Sequence, residues 1–306
     1  MIERRTLNVP GPGPDGLGIP YFDIRGRGDG PRLTVLSGVH GAEYASIAAV
    51  REFVRNLDAA AVSGRIVVVP VVNVPGFWAR APFVVPVDGE NLNRSFPGDP
   101  GGSFTRVLAH HVFTELVLGS DYLVDMHAGD LPESLEPFTI FEESPVEAAS
   151  LELALAYGAG HVVRQAARAR IVAGSTCAAA ADAGIPAIVA ESGQNGLLDR
   201  AAIDRHLAGL TNIARTVGVL DGEPWPVREA RLHEGWHWLR TDREGWWEPA
   251  AAVGEQVPAG GLLGTMSDVW GEVFAEVRAP EAGTPLFLTS SPAVSAGGLL
   301  MGLARD

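Results

Sequence analysis

The sequence has 306 residues, 46% of them hydrophobic, as expected for a globular protein of about two domains. Its formal net charge of −14 argues against nucleic acid or an anionic membrane as a partner, because both bind basic surfaces. The sequence has neither an apolar run of about 18 residues nor an N-terminal signal pattern, so we expect a cytoplasmic protein without a membrane partner.

The first predicted elements lead from a turn-rich segment into a buried strand. Residues 1–30 are rich in Pro and Gly and predict turns with one hairpin. The apolar run 33–36 predicts a strand, and His40 and Glu43 follow it, ahead of a helical pattern over 44–57. Imidazole and carboxylate groups at the carboxyl end of a strand are suitable zinc ligands, although the same pair is also ordinary at a helix start.

A polar segment with turn signals at both ends follows the next predicted strand. The strand covers residues 65–72 and the polar segment residues 88–98. Arg94 lies in this segment, where its guanidinium could hold a substrate carboxylate through two hydrogen bonds. Arg80, upstream, is a second candidate for binding an anion, while the alternative for each arginine alone is a solvated or structural cation.

A second histidine lies at the end of another predicted strand. The strand covers residues 122–126, and His127 follows it. Catalytic zinc sites usually have three protein ligands and leave one position for water, so His40, Glu43 and His127 make a suitable set. Asp125 could orient one of the imidazoles. Taken alone, His127 could equally be a core histidine.

A further apolar strand, predicted over residues 185–190, ends in a carboxylate. Hydrolysis at zinc needs a base within hydrogen-bond reach of the attacking water, and Glu191 is the candidate. The alternative is a carboxylate ahead of the helix predicted over residues 199–219.

Predicted strands and helices alternate over residues 31 to about 220. Besides the segments above, the pattern predicts a strand over 138–141 and helices over 103–118 and 147–158. This alternation is typical of an α/β fold, with a mixed, mainly parallel sheet covered by helices on both faces.

The pattern changes after a Pro- and Gly-containing linker at residues 221–226. Short runs separated by turns then predict a smaller all-β module, so we expect two domains, residues 1–222 and 223–306. The turns of the module resemble those of a biotinyl/lipoyl-type barrel sandwich, but the chain has no lysine to carry a cofactor, which favours a structural or pocket-capping role. An aromatic core is favoured over a ligand cleft or an interface for four tryptophans of the module: Trp236, Trp238, Trp246 and Trp247.

Two further residue counts limit the chemistry. The single cysteine, Cys177, excludes an intramolecular disulfide and a cysteine-based zinc site, and we interpret it as a packed thiol. All 23 basic residues are arginine, which excludes Schiff-base chemistry and a lysine-bearing phosphate loop.

Four motifs occur in an order that resembles one enzyme family. They are Gly-x-His-Gly-x-Glu at 38–43, Asn-Leu-Asn-Arg at 91–94, Asp-x-His at 125–127 and Glu-x-Gly at 191–193. This order resembles that of the succinylglutamate desuccinylase/aspartoacylase family of zinc deacylases, relatives of the zinc carboxypeptidases. The resemblance covers residues 30 to about 200 and implies a zinc carboxypeptidase-like fold.

The resemblance also implies roles for individual residues. One zinc ion per chain would be bound by the two histidines and the glutamate named above, with Glu191 as the general base. Asn93 and Arg94 would line the substrate pocket. Arg80, if it reaches the zinc, would stabilise the oxyanion of the tetrahedral intermediate.

Two departures from the family pattern concern the substrate. Asn91 stands where aspartoacylases carry aspartate, and residues 171–190 lack the arginine that those enzymes place before the catalytic glutamate. Arg164, Arg168 and Arg170 are candidates to replace it, and nothing in the sequence selects among them.

The predicted function is therefore zinc-dependent hydrolysis of an amide bond in a small N-acylated amino acid or a related compound, whose carboxylate Arg94 would bind. Two alternatives stay open: a zinc carboxypeptidase acting on peptides, and a non-catalytic relative that only binds a ligand. The expected partner is a small-molecule substrate, and the sequence leaves a homo-oligomer open.

Overall fold

The computed structural model describes residues 1–14, 16–167, 173–226 and 229–306. The strands are β1 Ile2–Val9, β2 Leu17–Arg25, β3 Arg27–Ser37, β4 Ser63–Val69, β5 Tyr122–His127, β6 Glu133–Leu135, β7 Phe138–Glu142, β8 His161–Gln165, β9 Ala187–Glu191, β10 Arg231–His233, β11 Trp236–Arg240, β12 Gly245–Pro249, β13 Leu262–Ser267, β14 Val273–Arg278, β15 Gly283–Thr289, β16 Ala293–Val294 and β17 Leu299–Arg305. The α-helices are α1 Tyr44–Asn56, α2 Val74–Ala79, α3 Phe104–Val112, α4 Glu147–Tyr157, α5 Thr176–Asp182 and α6 Arg200–Thr216.

A nine-stranded sheet forms the centre of the molecule, in the order β1-β2-β4-β3-β5-β9-β7-β8-β10. The inner pairs β3–β4, β3–β5 and β5–β9 are parallel, as are β7–β8 and β8–β10. The pairs β1–β2, β2–β4 and β7–β9 are antiparallel. This confirms the predicted mixed, mainly parallel sheet, and β1 and β2 form the expected hairpin at its edge.

Helices cover both faces of this sheet because its inner strands are apolar on both sides. Val35 and Val68 pack against the α1, α4 and α6 side, whereas their neighbours Leu36 and Val67 belong to the core on the α3 and α5 side. Such alternation follows from the two-residue period of a strand. None of the helices in the described part of the chain is long and apolar enough to cross a membrane.

The predicted boundaries agree closely for most elements. The main difference is in the helix predicted over 103–118: the regular α-helix ends at Val112, and a wider turn continues over Phe113–Val117. A helix start in the small-residue segment around Cys177 is expected from the sequence and is confirmed by α5, whereas α2, only 6 residues long, is not predicted. Short helices carry too few turns to show a clear apolar period.

The C-terminal part forms two four-stranded antiparallel sheets, β11-β17-β15-β6 and β14-β13-β12-β16. A separate core fills them, with Trp247, Leu263 and Met301 among its buried members. Two strands cross between the regions: β6 pairs with β15 of the C-terminal sheets, and β10 pairs with β8 of the central sheet. The division of the chain near residue 222 stays a prediction.

Candidate active site

The carboxyl ends of three neighbouring parallel strands meet at one edge of the central sheet. His127 ends β5 and lies in register with Glu191, the last residue of β9. His40 and Glu43 follow β3, the other neighbour of β5, in the loop that leads into α1. The structure thus brings together four side chains that the sequence places in three separate segments.

Gly41 allows this loop to lie close to the next element. A Cβ atom at Gly41 would lie 2.2 Å from the backbone nitrogen of Phe77 in α2, so only glycine fits. The close approach keeps His40 and Glu43 on either side of a compact turn.

Two imidazoles converge on one carboxylate at this edge. His40 Nδ1 lies 2.7 Å from Glu43 Oε1, and His127 Nδ1 lies 2.9 Å from Glu43 Oε2. All three side chains are buried, with 8%, 2% and 1% of His40, Glu43 and His127 exposed. Each offers one ligand atom within 4.8 Å of the others.

The far nitrogen of each imidazole has its own acceptor. His127 Nε2 lies 3.0 Å from Asp125 Oδ2, and His40 Nε2 lies 3.2 Å from Asn91 Oδ1. Asn91 Oδ1 also accepts the backbone N–H of Asn93, which identifies this atom as the oxygen. Each imidazole therefore donates from Nε2 and leaves the lone pair of Nδ1 directed at Glu43.

This arrangement fits a metal cation. When both histidines are neutral, two nitrogen lone pairs and a carboxylate face one another with no hydrogen between them, so a positive charge is needed there. Two imidazole nitrogens and one carboxylate are also the donor set of many hydrolytic zinc sites. The Nε2 partners are the kind of outer contacts that orient metal-binding histidines.

The charges of the cluster shift the pKa values of its members. Burial acts to raise the pKa of Glu43, but the imidazoles of His127 and His40 outweigh it and lower the value to about 2. For His127, burial acts to lower the pKa, and the carboxylates of Asp125 and Glu43 raise it well above the usual range. Both shifts favour a negative carboxylate with positive charge beside it.

Glu191 lies next to this cluster. Its Oε2 atom is buried and has no hydrogen-bond partner among the described residues. Burial raises the pKa of Glu191 well above its usual range, opposed by His127 and assisted by the charge of Glu43. A carboxyl group whose oxygen is buried and unpartnered beside a candidate metal site is suited to exchange a proton with a bound reactant.

These residues line a cavity of about 600 Å³. Residues at the edge of the central sheet form one wall of the cavity, and residues of the C-terminal sheets form another. The aromatic and aliphatic part of the lining comprises Phe83, Pro132, Leu135, Phe138, Ile140, Trp236, Trp238, Phe287 and Leu299.

The four tryptophans of the module differ in environment. Trp247 is buried in the C-terminal core, as expected, and Trp246 is half exposed. Trp236 is buried and Trp238 partly buried, but both line the cavity. The expected aromatic core thus holds for Trp236 and Trp247, while Trp238 packs against the core and also lines the cavity. The half-exposed Trp246 does not fit this expectation.

Asn93 and Arg94 both line the cavity. Asn93 is buried, and its Oδ1 accepts the N–H of Thr176 at 3.2 Å. The guanidinium of Arg94 donates to the carbonyl of Asn93 at 2.6 Å, yet the residue remains exposed to the cavity. Burial by the surrounding protein and the charge of Arg240 lower the pKa of Arg94 to about 10, against the effect of Glu133.

The other candidate arginines lie elsewhere or are not described. Arg80 ends α2 in a left-handed conformation with φ of 53°, is exposed, and is not among the described residues that line the cavity. Arg164 pairs with Glu143 and Glu147. Arg168 and Arg170 lie outside the described residues.

Cys177 is buried, and burial raises the pKa of its thiol well above the usual value. It lies at the cavity wall, but a thiol that holds its proton is a weak nucleophile. The structure thus favours the interpretation as a packed thiol.

Three charged residues of the cavity were not predicted from the sequence: Glu133, Glu142 and Arg240. Burial and the charge of Glu43 raise the pKa of Glu133 to about 8. A signal existed for Arg240, because it continues the alternation of Trp236 and Trp238 on one face of β11. No local sequence pattern indicates Glu133, because its strand β6 pairs with β15, about 150 residues later in the chain.

Comparisons with known proteins agree with the geometry. The model of the succinylglutamate desuccinylase/aspartoacylase catalytic domain matches residues 29–217. N-alpha-acetyl-L-2,4-diaminobutyric acid deacetylase of Halomonas elongata is 37% identical over 148 residues, which are 47% of this chain and 43% of that protein. The match therefore spans less than half of the curated relative.

Two solved structures are similar over the whole chain. The product-bound ectoine utilisation protein EutE (DoeB) of Ruegeria pomeroyi has a TM-score of 0.89 and 26% identity, covering 100% of this chain and 95% of that one. A succinylglutamate desuccinylase/aspartoacylase of Rhodobacter sphaeroides has a TM-score of 0.88 and 26% identity, with the same coverage. Both likenesses extend through the C-terminal sheets.

Proposed function

The chain belongs to the succinylglutamate desuccinylase/aspartoacylase family, and from that premise we propose that it is a zinc-dependent deacylase of small N-acylated amino acids. The observation that carries the proposal is the convergence of His40, Glu43 and His127 beside the buried, unpartnered oxygen of Glu191. Relatives named as deacylases support the reaction class.

His40, Glu43 and His127 would hold the zinc ion. When bound, zinc would supply Lewis acidity that polarises the amide carbonyl and makes water more acidic. Asp125 and Asn91 keep the Nε2 protons in place, so that both Nδ1 atoms stay directed at the cluster.

Glu191 would act as the base. Its Oε2 takes a proton from the attacking water and later gives that proton to the nitrogen of the leaving amine. One carboxyl group thus serves both steps, which requires that it lie near both water and amine. The aromatic wall formed by Trp238, Phe138 and Phe287 would exclude bulk water from the reacting atoms.

The cavity supports an N-acylated diamino acid as the substrate. Arg94 would bind the substrate carboxylate, and Glu133, on the same cavity, would bind a second, positively charged amine. The Halomonas relative is named for N-alpha-acetyl-L-2,4-diaminobutyric acid, which carries both groups beside its amide. The cavity of about 600 Å³, lined by residues of the sheet edge and of the C-terminal sheets, favours such a compact molecule over a peptide.

A substrate panel tests this function. Purified protein loaded with zinc is assayed with N-alpha-acetyl-L-2,4-diaminobutyrate, with the analogue that lacks the second amine, with N-succinyl amino acids and with short peptides. We expect the acetylated diamino acid to give the highest kcat/KM, and we expect a chelator to abolish the activity and zinc to restore it. Preference for peptides would support a carboxypeptidase instead, and full activity of metal-free protein would exclude the zinc mechanism.

A further inference from the structure

Building on the proposed function, we propose that Arg240 of the C-terminal module is the second cation of the substrate pocket. Together with Arg94 it would bind the substrate carboxylate beside the ring of Trp238. Arg240 would thereby supply a contact for which residues 171–190 contain no arginine.

The position of Arg240 on β11 aims it at the cavity. Trp236, Trp238 and Arg240 alternate along the strand, and all three line the cavity. The register of the β11–β17 pairing shifts between Leu239 and Arg240, but the extra residue, Leu300, lies in β17, so the alternation along β11 continues to Arg240. One guanidinium nitrogen donates to the carbonyl of Gly297 at 2.9 Å, which holds the group while leaving other donors available.

Both guanidinium groups lie against one indole. The Cζ atom of Arg94 is 5.7 Å from the ring centroid of Trp238, and the Cζ atom of Arg240 is 5.8 Å from it. Contacts of this length stabilise a cation on an aromatic ring. The indole therefore brings together two residues that are far apart in sequence.

Two like charges at one ring repel each other. The charge of Arg240 contributes to the lowered pKa of Arg94, so the two groups interact electrostatically. Within the described ranges, neither arginine forms an ion pair with a carboxylate. The chain has 37 acidic residues against 23 basic ones, so carboxylate partners are abundant in the sequence. An anion bound between the two arginines would remove this repulsion.

The anion that fits is a carboxylate of the substrate. Arg94 and Arg240 line the same cavity as His40, Glu43 and His127, so one small molecule can contact both ends. Among the described residues that line the cavity, the arginines are Arg94 and Arg240, so a carboxylate is attracted to their end of it. The charges thus set one orientation, with the carboxylate near Trp238 and the acyl group near the sheet edge.

The first experiment compares two substrates that differ only in the carboxylate. N-alpha-acetyl-L-2,4-diaminobutyrate and N-acetyl-1,3-diaminopropane carry the same amide and the same amine. We expect Arg240→Gln to lower kcat/KM for the first by about 10- to 100-fold, chiefly through KM, and to change the second little. The matched control is Arg243→Gln, since Arg243 lies 4.3 Å over the ring of Phe274 and not at the cavity. Equal losses for both substrates, or no loss, would overturn the proposal.

The second experiment does not depend on turnover. Succinate is titrated calorimetrically into the zinc-loaded wild type, Arg240→Gln and Arg243→Gln. We expect Arg240→Gln to bind succinate about tenfold or more weakly, with Arg243→Gln unchanged. Equal binding by wild type and Arg240→Gln, or no binding by wild type, would contradict the anion site. If no acylated amine is hydrolysed but succinate distinguishes the variants, the proposed function fails and the arginine site stands.

Discussion

The two walls of the cavity are built differently. At the edge of the central sheet, the candidate metal ligands are almost fully buried, and their ring nitrogens and carboxylate oxygens have close partners. On the wall of the C-terminal sheets, Trp238 is partly buried and Arg240 exposed, and few hydrogen bonds hold them. We therefore expect the sheet edge to carry the proposed reaction and the C-terminal wall to select the substrate.

The largest effect is expected for a substitution at the edge of the central sheet. Glu191→Gln keeps the size of the side chain but cannot take a proton, so we expect kcat to fall by about 10²- to 10⁴-fold with unchanged zinc content. Steady-state kinetics with metal analysis measures both. Glu133→Gln is the matched control and should change KM for substrates with a second amine more than kcat. Activity close to wild type in Glu191→Gln would place the base elsewhere.

A smaller effect, on zinc affinity, is expected for the residues that hydrogen-bond to the two candidate histidine ligands. His127 donates to the carboxylate of Asp125, whereas His40 donates to the amide of Asn91. Asp125→Asn should weaken zinc binding by about 10- to 100-fold, because an amide orients and polarises the imidazole less strongly. Asn91→Asp should strengthen binding for the converse reason. Competition with a coloured chelator measures both, and the prediction fails if the two variants change affinity in the same direction.

A substitution on the wall formed by the C-terminal sheets should have a weaker effect, which we expect on substrate binding only. Trp238→Leu removes the ring that contacts both guanidiniums, so we expect KM for carboxylate substrates to rise by about 3- to 30-fold with kcat little changed. Trp246→Leu is the control, because Trp246 is half exposed and not among the described residues of the cavity. A fall in kcat without a change in KM would show that the two walls are not separate in function.

The smallest effect on catalysis is expected where the two regions join. His233 of β10 is fully buried, stacks on His161 with centroids 5.3 Å apart, and lies 3.5 Å from Asp306. Burial, assisted by the charges of His161 and Arg231 and opposed by Asp306, lowers the pKa of His233 to about 4.

This shift makes stability depend on pH. In the unfolded chain His233 is protonated below about pH 6.5, whereas in the folded protein it is protonated only below about pH 4. The free energy of unfolding therefore falls as the pH drops from about 6.5 to about 4. Between pH 7 and 5, the wild type should lose about 2 kcal/mol more unfolding free energy than His233→Gln. Urea unfolding at both pH values measures the difference, with His237→Gln as the partly exposed control. Parallel losses in wild type and His233→Gln would contradict the assigned shift.

The sequence predicted much of the fold and the cavity residues that lie at the edge of the central sheet. Each strand of the central sheet that carries a functional side chain is a short apolar run, and the side chain comes at its end. Parallel neighbours place such ends at one edge, so local pattern and a general rule were enough to bring His40, Glu43, His127 and Glu191 together. The position of Arg80 could not be predicted in this way. It directly follows α2, is exposed, and is not among the described residues that line the cavity.

The wall formed by the C-terminal sheets could not be predicted from the sequence, because it depends on how these sheets pack. The sequence by itself determined the candidate ligand set, the candidate base and the mainly parallel sheet, because these follow from periodicity and from residue chemistry within short segments. Only the tertiary structure decided that Glu133 and Arg240 face the same cavity as Arg94. The physical reason is that their approach depends on contacts between distant strands, such as β6 with β15, which leave no local pattern in either segment.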